Sequence, residues 1–145
     1  MKTNCIIVDL DGTLANVDHR RKMLLEDNDW DKFNSNMSID SVNLWCRELI
    51  DLFKDKYHIV IVSGRSDEFK EVTFRWLHEN NIFFNEVFFR QKGDYRDDRV
   101  IKKEIFDTQI NPRYSPLFVV DDRKKVVQMW RNIGLTCLQC EDGDY

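Results

Sequence analysis

No apolar run in the chain approaches the roughly 20 residues that a membrane-spanning helix needs, so nothing in the sequence reads as a membrane segment. Proline and glycine are scarce, at two and five residues. That leaves little room for a flexible linker or a low-complexity tract, and no internal repeat is visible. Net positive charge is lacking as well. The formal balance is −4, which excludes adhesion to nucleic acid by bulk charge but not a local basic pattern. Metal-binding cysteine pairs are also missing. Cys137-x-x-Cys140 has no second ligand pair at zinc spacing. Cys5, Cys46, Cys137 and Cys140 therefore read as reduced, mostly buried thiols. The first strand starts almost at Met1, so no signal peptide is expected and a cytoplasmic location is the default expectation.

What is present is ordinary globular material. The 145 residues are 42% hydrophobic and 33% charged, enough for one domain, residues 1–145, with its own core. The informative stretch is Ile6-Ile7-Val8-Asp9-Leu10-Asp11-Gly12-Thr13. Its short β-branched start reads as a buried strand, and Gly12 marks the break into a loop. Residues two apart on extended chain point to one side, so Asp9 and Asp11 converge at the strand end. Two carboxylates about 4 Å apart repel by roughly 4 kcal/mol at an effective dielectric of about 20. A divalent cation relieves that repulsion, and hard oxygen donors favour Mg²⁺.

Further on, strands and helices alternate, which points to an α/β fold: a Rossmann-like parallel sheet of about five strands with helices on both faces. A polar insert, about 16–40, follows the first strand and reads as a surface loop with short helices or as a small cap. Within it His19 reads as a surface or loop histidine, and in the run from Asp29 through Lys32 to Phe33 the aromatic residues Trp30 and Phe33 either pack the insert down, the favoured reading, or face substrate. A helix over 41–53 has Val42, Trp45, Cys46, Leu49, Ile50 and Phe53 on one face. Strands are expected at 57–62, 83–89, 117–120 and 135–138, and helices at 67–79, from 98, and at 124–132. Pro112 and Pro116 bracket the connection before the fourth strand.

Three expected strands end in reactive residue types: Asp9 and Asp11, then Ser63-Gly64-Arg65, then Asp121-Asp122. Ligands bind at the carboxyl ends of parallel strands, and helix N-termini there favour phosphate. Taken singly, Lys102 is a surface lysine, Ser63-Gly64-Arg65 a turn and Asp121-Asp122 a helix cap. Taken in order, they are what metal-assisted phosphoryl transfer to a carboxylate needs. One aspartate attacks phosphorus, a second exchanges protons with the leaving group and water, and a lysine offsets charge in the transition state.

Asp-x-Asp-Gly-Thr after a hydrophobic strand resembles the haloacid dehalogenase superfamily of phosphotransferases. The second half resembles more specifically the 3′-phosphatase domains of the bacteriophage polynucleotide kinase/phosphatase type. The matching residues are Val62-Ser63-Gly64-Arg65, Arg90-x-x-Gly93-Asp94-x-Arg96, Asp98, Lys102-x-Glu104-Ile105-Phe106, and Asp121-Asp122-Arg123-x-x-Val126-Val127-x-Met129-Trp130-Arg131. Gly143-Asp144-Tyr145 fits as well. The resemblance implies Asp9 as nucleophile and Asp11 as general acid/base. It implies Mg²⁺ on Asp9, Asp11 and Asp122, with Asp121 in support. Thr13, Ser63, Gly64, Arg65 and Lys102 would meet the phosphate, and Arg96 and Arg123 the nucleic-acid strand. The implied activity is hydrolysis of 3′-phosphate ends of DNA or RNA, without kinase activity because no G-x-x-x-x-G-K-[ST] loop is present. A separate kinase or ligase would be the partner, and no membrane is involved. The alternatives are a phosphatase of small monophosphates such as nucleotides, or a non-catalytic phosphate- or partner-binding module.

Overall fold

The structure is a computed structural model that describes residues 1–27 and 29–145, without the side chains of Met23, Leu25, Asp27 and Lys32. Asn28, inside the expected insert, and the Lys32 side chain lie outside the described residues. In chain order the elements are β1 (Thr3–Asp9), β2 (Ala15–Asn16), α1 (Asp18–Asp27), α2 (Trp30–Ser35), β3 (Ser41–Val42), α3 (Leu44–Phe53), β4 (His58–Ser66), α4 (Lys70–Glu79), β5 (Glu86–Arg90), α5 (Asp98–Ile105), β6 (Tyr114–Arg123), α6 (Lys124–Asn132) and β7 (Cys137–Gly143).

Five strands form one parallel sheet in the order β5-β4-β1-β6-β7. Side chains alternate across it, as extended chain requires. Cys5, Ile7, Val60 and Val62 pack with Phe106, Ile110, Val126 and Trp130 on one face. Ile6, Val8, Ile59 and Ile61 pack with Cys46, Ile50, Trp76 and Leu77 on the other. Two-sided burial explains why the β1 and β4 sequences are unbroken apolar runs. Register then aligns the chemistry. Asp9 lies opposite Val62 of β4, and Val8 lies opposite Val120 of β6. The carboxyl end of β1 is therefore level with Ser63 on one side and Asp121 on the other.

The insert is held at its stem rather than left as a loop. β2 and β3 pair antiparallel, Ala15 with Val42 and Asn16 with Ser41. Asn43 donates from Nδ2 to the Thr13 carbonyl at 2.8 Å. This pairing corrects the expected helix over 41–53. Ser41 and Val42 belong to the stem ladder, and α3 begins at Leu44 with Asn43 in extended backbone ahead of it. Trp45, expected on the core face, is 44% exposed, and Trp30 is exposed too. Pro116 lies inside β6 opposite Cys5, not in a connection. Lacking an N–H, it falls where the ladder changes register between Cys5 and Ile7. β4 runs on through Ser66 and β7 through Gly143, since polar residues at strand ends hide continued pairing from a hydrophobic pattern.

Among the described residues no helix is long and apolar enough to cross a membrane. Ile7 is fully buried, so Ile7→Ala is expected to cost about 2–5 kcal/mol, read as a lower urea midpoint at unchanged m-value. Leu52→Ala, at an 80% exposed position, is expected to shift stability by less than about 0.5 kcal/mol.

Candidate active site

Asp9 closes β1 and is buried. Its Oδ1 accepts from Lys102 Nζ at 2.7 Å, and its Oδ2 accepts from the Thr13 hydroxyl at 2.8 Å. Between them Gly12 turns the chain at φ +86°, a conformation that favours glycine. A methyl group there would collide with Asp122 Oδ2. Lys102 reaches in from α5 with its side chain buried, and also donates to Asp121 Oδ2 at 3.1 Å.

Asp121 is saturated. Its Oδ2 also accepts from Trp130 Nε1 at 3.2 Å, and its Oδ1 accepts the backbone N–H groups of Asp122 and Arg123. Asp122 is different. Its Oδ2 accepts from the Tyr145 hydroxyl at 2.6 Å, but its buried Oδ1 has no hydrogen-bond partner. Asp9, Asp121 and Asp122 each bring one oxygen into a cluster no wider than 4.8 Å. Burial, together with repulsion from Asp121 and Asp122, raises the Asp9 carboxyl well above its usual range against the pull of Lys102. Burial raises Asp121 too, while Lys102 is raised because Asp121, Asp9 and Asp98 outweigh its own burial. One ammonium does not neutralise three carboxylates. The orphaned Asp122 oxygen and the all-oxygen donor set fit a small divalent cation.

Asp11 sits on the other side of the β1 terminus, its side chain 30% exposed. Arg65 grips it with Nε at 3.0 Å and Nη2 at 2.7 Å, and Arg20 with Nη2 at 2.6 Å. Asp40 holds both arginines from behind. It accepts from Arg20 Nε at 2.8 Å and from Arg65 Nη2 at 3.2 Å, and His19 Nε2 lies 2.6 Å from it. Arg65 also donates to the Thr73 hydroxyl. Burial would raise the Asp11 carboxyl, but the charge and hydrogen bonds of Arg65, with Arg20, bring it down to about 2. In this arrangement Asp11 is an oriented carboxylate.

The remaining expected residues divide. Ser63 is buried at the end of β4, and its Oγ accepts from the Arg65 N–H at 3.0 Å. Gly64 is glycine for lack of room, since a methyl group would meet Asp98 Oδ1. Arg65, expected at the phosphate, directs its guanidinium to Asp11, Asp40 and Thr73. Arg96 is tied to Asp94 of the same exposed loop and to Glu104 of α5. Arg123 lies beside Asp98, 3.6 Å away, and donates to the Tyr145 carbonyl.

Sequence reasoning passed over Arg20 and Asp40 as site residues, and gave Asp98 and Tyr145 as matches to the family pattern without a role in the site. Arg20 sits in a run of four basic residues or histidine that looks like a solvated helix face, yet it is fully buried with its guanidinium 4.4 Å above the Phe33 ring. No spacing rule marks it. Asp98 does carry a signal: it stands one turn before Lys102 on α5 and pairs with Arg90 at 3.1 Å.

Residues 3–145 match the family described as the polynucleotide kinase PNKP phosphatase domain. A protein of Autographa californica nuclear polyhedrosis virus, whose name joins polynucleotide kinase with RNA ligase, is 27% identical over 133 residues, which is 90% of this chain and 18% of the viral protein. Among solved structures, a chain of the Pnkp1/Rnl/Hen1 RNA repair complex superposes with a TM-score of 0.86 at 33% identity, covering 99% of this chain and 44% of that one. A haloacid dehalogenase-like family hydrolase from Streptococcus pneumoniae, at 14% identity and a TM-score of 0.62, covers 95% of this chain and 84% of its own and shares the fold. This chain thus spans less than half the length of the viral protein and of the repair-complex chain.

Removing Arg20 leaves Asp40 buried with one guanidinium fewer. Arg20→Ala is expected to cost about 3–5 kcal/mol in urea denaturation at neutral pH. The gap from wild type has a definite pH dependence. Asp11 is depressed from 3.8 to about 2, so its ion pairing stabilises the fold above the unfolded value and is lost as pH falls through the folded one. The difference between the two proteins should therefore narrow as pH falls below about 4.

Proposed function

The chain belongs to the polynucleotide kinase PNKP phosphatase-domain family, and from that membership we propose that it removes 3′-phosphates from nucleic-acid ends with Mg²⁺ through an aspartyl-phosphate. It is a phosphoric monoester hydrolase with the haloacid dehalogenase-type fold. One observation carries the finer reading. A buried, Lys102-bound carboxylate, Asp9, stands between the Asp121–Asp122 pair and a second carboxylate, Asp11, gripped by two arginines.

In this mechanism Asp9 attacks phosphorus as the bond to the 3′-oxygen breaks. Asp11 gives that oxygen its proton, and the sugar 3′-hydroxyl leaves. Asp11, now a base, takes a proton from water, which attacks the same phosphorus and breaks its bond to Asp9, releasing inorganic phosphate. A depressed Asp11 is a poor acid while both arginines hold it. An incoming phosphate adds negative charge beside the partly exposed Asp11, which raises its carboxyl toward the range an acid needs against the pull of the buried Arg65 and Arg20. Lys102 holds Asp9 and offsets charge on the phosphoryl group, with Ser63, Thr13 and the Gly64 backbone completing its cradle. Asp9, Asp122 and the Asp11 carbonyl would hold Mg²⁺, with Asp121 in support, and the ion would neutralise charge between carboxylates and phosphoryl oxygens.

The strand reading draws on the relatives, one named for polynucleotide kinase and RNA ligase and another seen in an RNA repair complex. A kinase or ligase acting on the same ends is the proposed partner. One observation favours small monophosphates as a second reading. Several cations of the segment 90–99 are engaged internally. Arg90 holds the carbonyls of Gly64, Asp94 and Arg96, Arg96 pairs with Asp94 and Glu104, and Arg99 lies near Asp97.

Phosphate release with Mg²⁺ from a 3′-phosphorylated oligonucleotide, its 5′-phosphorylated isomer and 3′- and 5′-mononucleotides decides between the readings. Preference for the 3′-phosphorylated oligonucleotide is expected, and faster mononucleotide turnover would replace it with the second reading. Asp9→Asn is expected to stop release, as is chelation until Mg²⁺ returns; unchanged release from Asp9→Asn would sink the aspartyl-phosphate. Asp11→Asn is expected to slow the oligonucleotide by about 10²–10⁴-fold; with p-nitrophenyl phosphate, whose leaving group needs no proton, the first-turnover burst of nitrophenol should survive while steady-state turnover, which still needs the base, falls.

A further inference from the structure

We propose that Tyr145 is a positioning residue that sets Asp122 for the divalent cation, which rests on reading Asp9 and Asp122 as cation ligands. Tyr145 lies beyond β7, outside every strand and helix, yet its hydroxyl donates to Asp122 Oδ2 at 2.6 Å. Rotation about the terminal torsion of an aspartate is soft, so a carboxylate without anchors does not hold one oxygen in a fixed direction. Here Oδ2 is pinned by Tyr145, and the opposite oxygen, Oδ1, is the buried atom without a partner in the Asp9–Asp121–Asp122 cluster.

The phenol is itself fixed from two sides. Arg21 Nη2 donates to the Tyr145 oxygen at 3.3 Å, so the hydroxyl accepts from a cation while donating to an anion, which strengthens both bonds. The ring lies between two guanidiniums, with Arg21 Cζ 4.6 Å and Arg123 Cζ 4.9 Å from its centroid. Arg123 Nε donates to the Tyr145 carbonyl at 2.6 Å. The chain can return over the site because Gly143 has no side chain; a methyl group there would strike the Asp122 carbonyl. Arg21 stands next to Arg20 on α1. Consecutive residues of the insert thus address the two halves of the site, Arg20 the acid/base Asp11 and Arg21 the Tyr145–Asp122 pair.

Outer partners of metal ligands commonly change metal affinity by about 10–100-fold when removed. Tyr145→Phe keeps the ring between its arginines and deletes only the hydroxyl. Mn²⁺ is the probe, titrated into the metal-free full chain and followed by electron paramagnetic resonance. Wild type is expected to bind one ion, and Tyr145→Phe to bind it about tenfold or more weakly. Its melting temperature in chelator should fall only by the small amount that one lost hydrogen bond costs, and its KM for a phosphorylated oligonucleotide at saturating Mg²⁺ should be unchanged. Wild-type Mn²⁺ affinity in Tyr145→Phe overturns the proposal while leaving the metal reading intact. Failure of the wild-type chain to bind Mn²⁺ overturns both.

Discussion

Three carboxylates crowd the carboxyl ends of two neighbouring strands, and one buried ammonium answers them. Asp9, Asp121 and Asp122 offer oxygens within 4.8 Å of one another. At such separations each like-charged pair costs roughly 3–4 kcal/mol at an effective dielectric of about 20. Lys102 takes one oxygen of Asp9 and one of Asp121. Trp130 and two backbone N–H groups take the rest of Asp121. The placement of α5 and α6 follows from this need, because they deliver the ammonium and the indole from the same face of the sheet. What is left at Asp122 is a buried oxygen without a partner, the feature on which the proposed cation site rests.

Much of this was legible in the sequence. Apolar β-branched runs ending in acids marked β1 and β6, and the α6 bounds 124–132 emerged directly from periodicity and agree with the structure. The acids and Lys102 could be placed together because parallel strands end on one side. Arg20 and Asp40 were not legible. Their burial depends on an insert folding back onto the β1 terminus, and a basic run gives no periodic sign of which member turns inward. The start of α3 was lost for a related reason. Ser41 and Val42 continue the helical apolar pattern, but a two-residue ladder with Ala15–Asn16 takes them instead. Tertiary pairing overrode local propensity there. Trp45 was misassigned with them, as its periodic place on the helix holds whether or not anything packs against it.

The insert does more than cover the strand ends. Through Arg20 and Asp40 it supplies half the environment of Asp11, and through Trp76 Nε1, which donates to the Asp40 carbonyl at 2.7 Å, it is anchored to α4. Arg65 comes from the sheet and meets Arg20 on the same two carboxylates. The surroundings of Asp11, the proposed acid/base, are therefore shared between scaffold and insert, whereas the Asp9–Lys102 pair belongs to the scaffold alone.

The scarcity of glycine takes on meaning at Gly12, Gly64 and Gly143. In each, the volume that a side-chain methyl would fill is occupied by an oxygen of Asp122 or Asp98. The acids sit where they do because the backbone opposite them has been stripped to hydrogen. Among diverging copies of this chain, decay of the site can consequently begin without touching any acid or base. A descendant that kept every aspartate, arginine and lysine but gained alanine at one of these three places would still look intact to a motif search, while a carboxylate, or at Gly143 the backbone of Asp122, had been displaced by the width of a carbon atom.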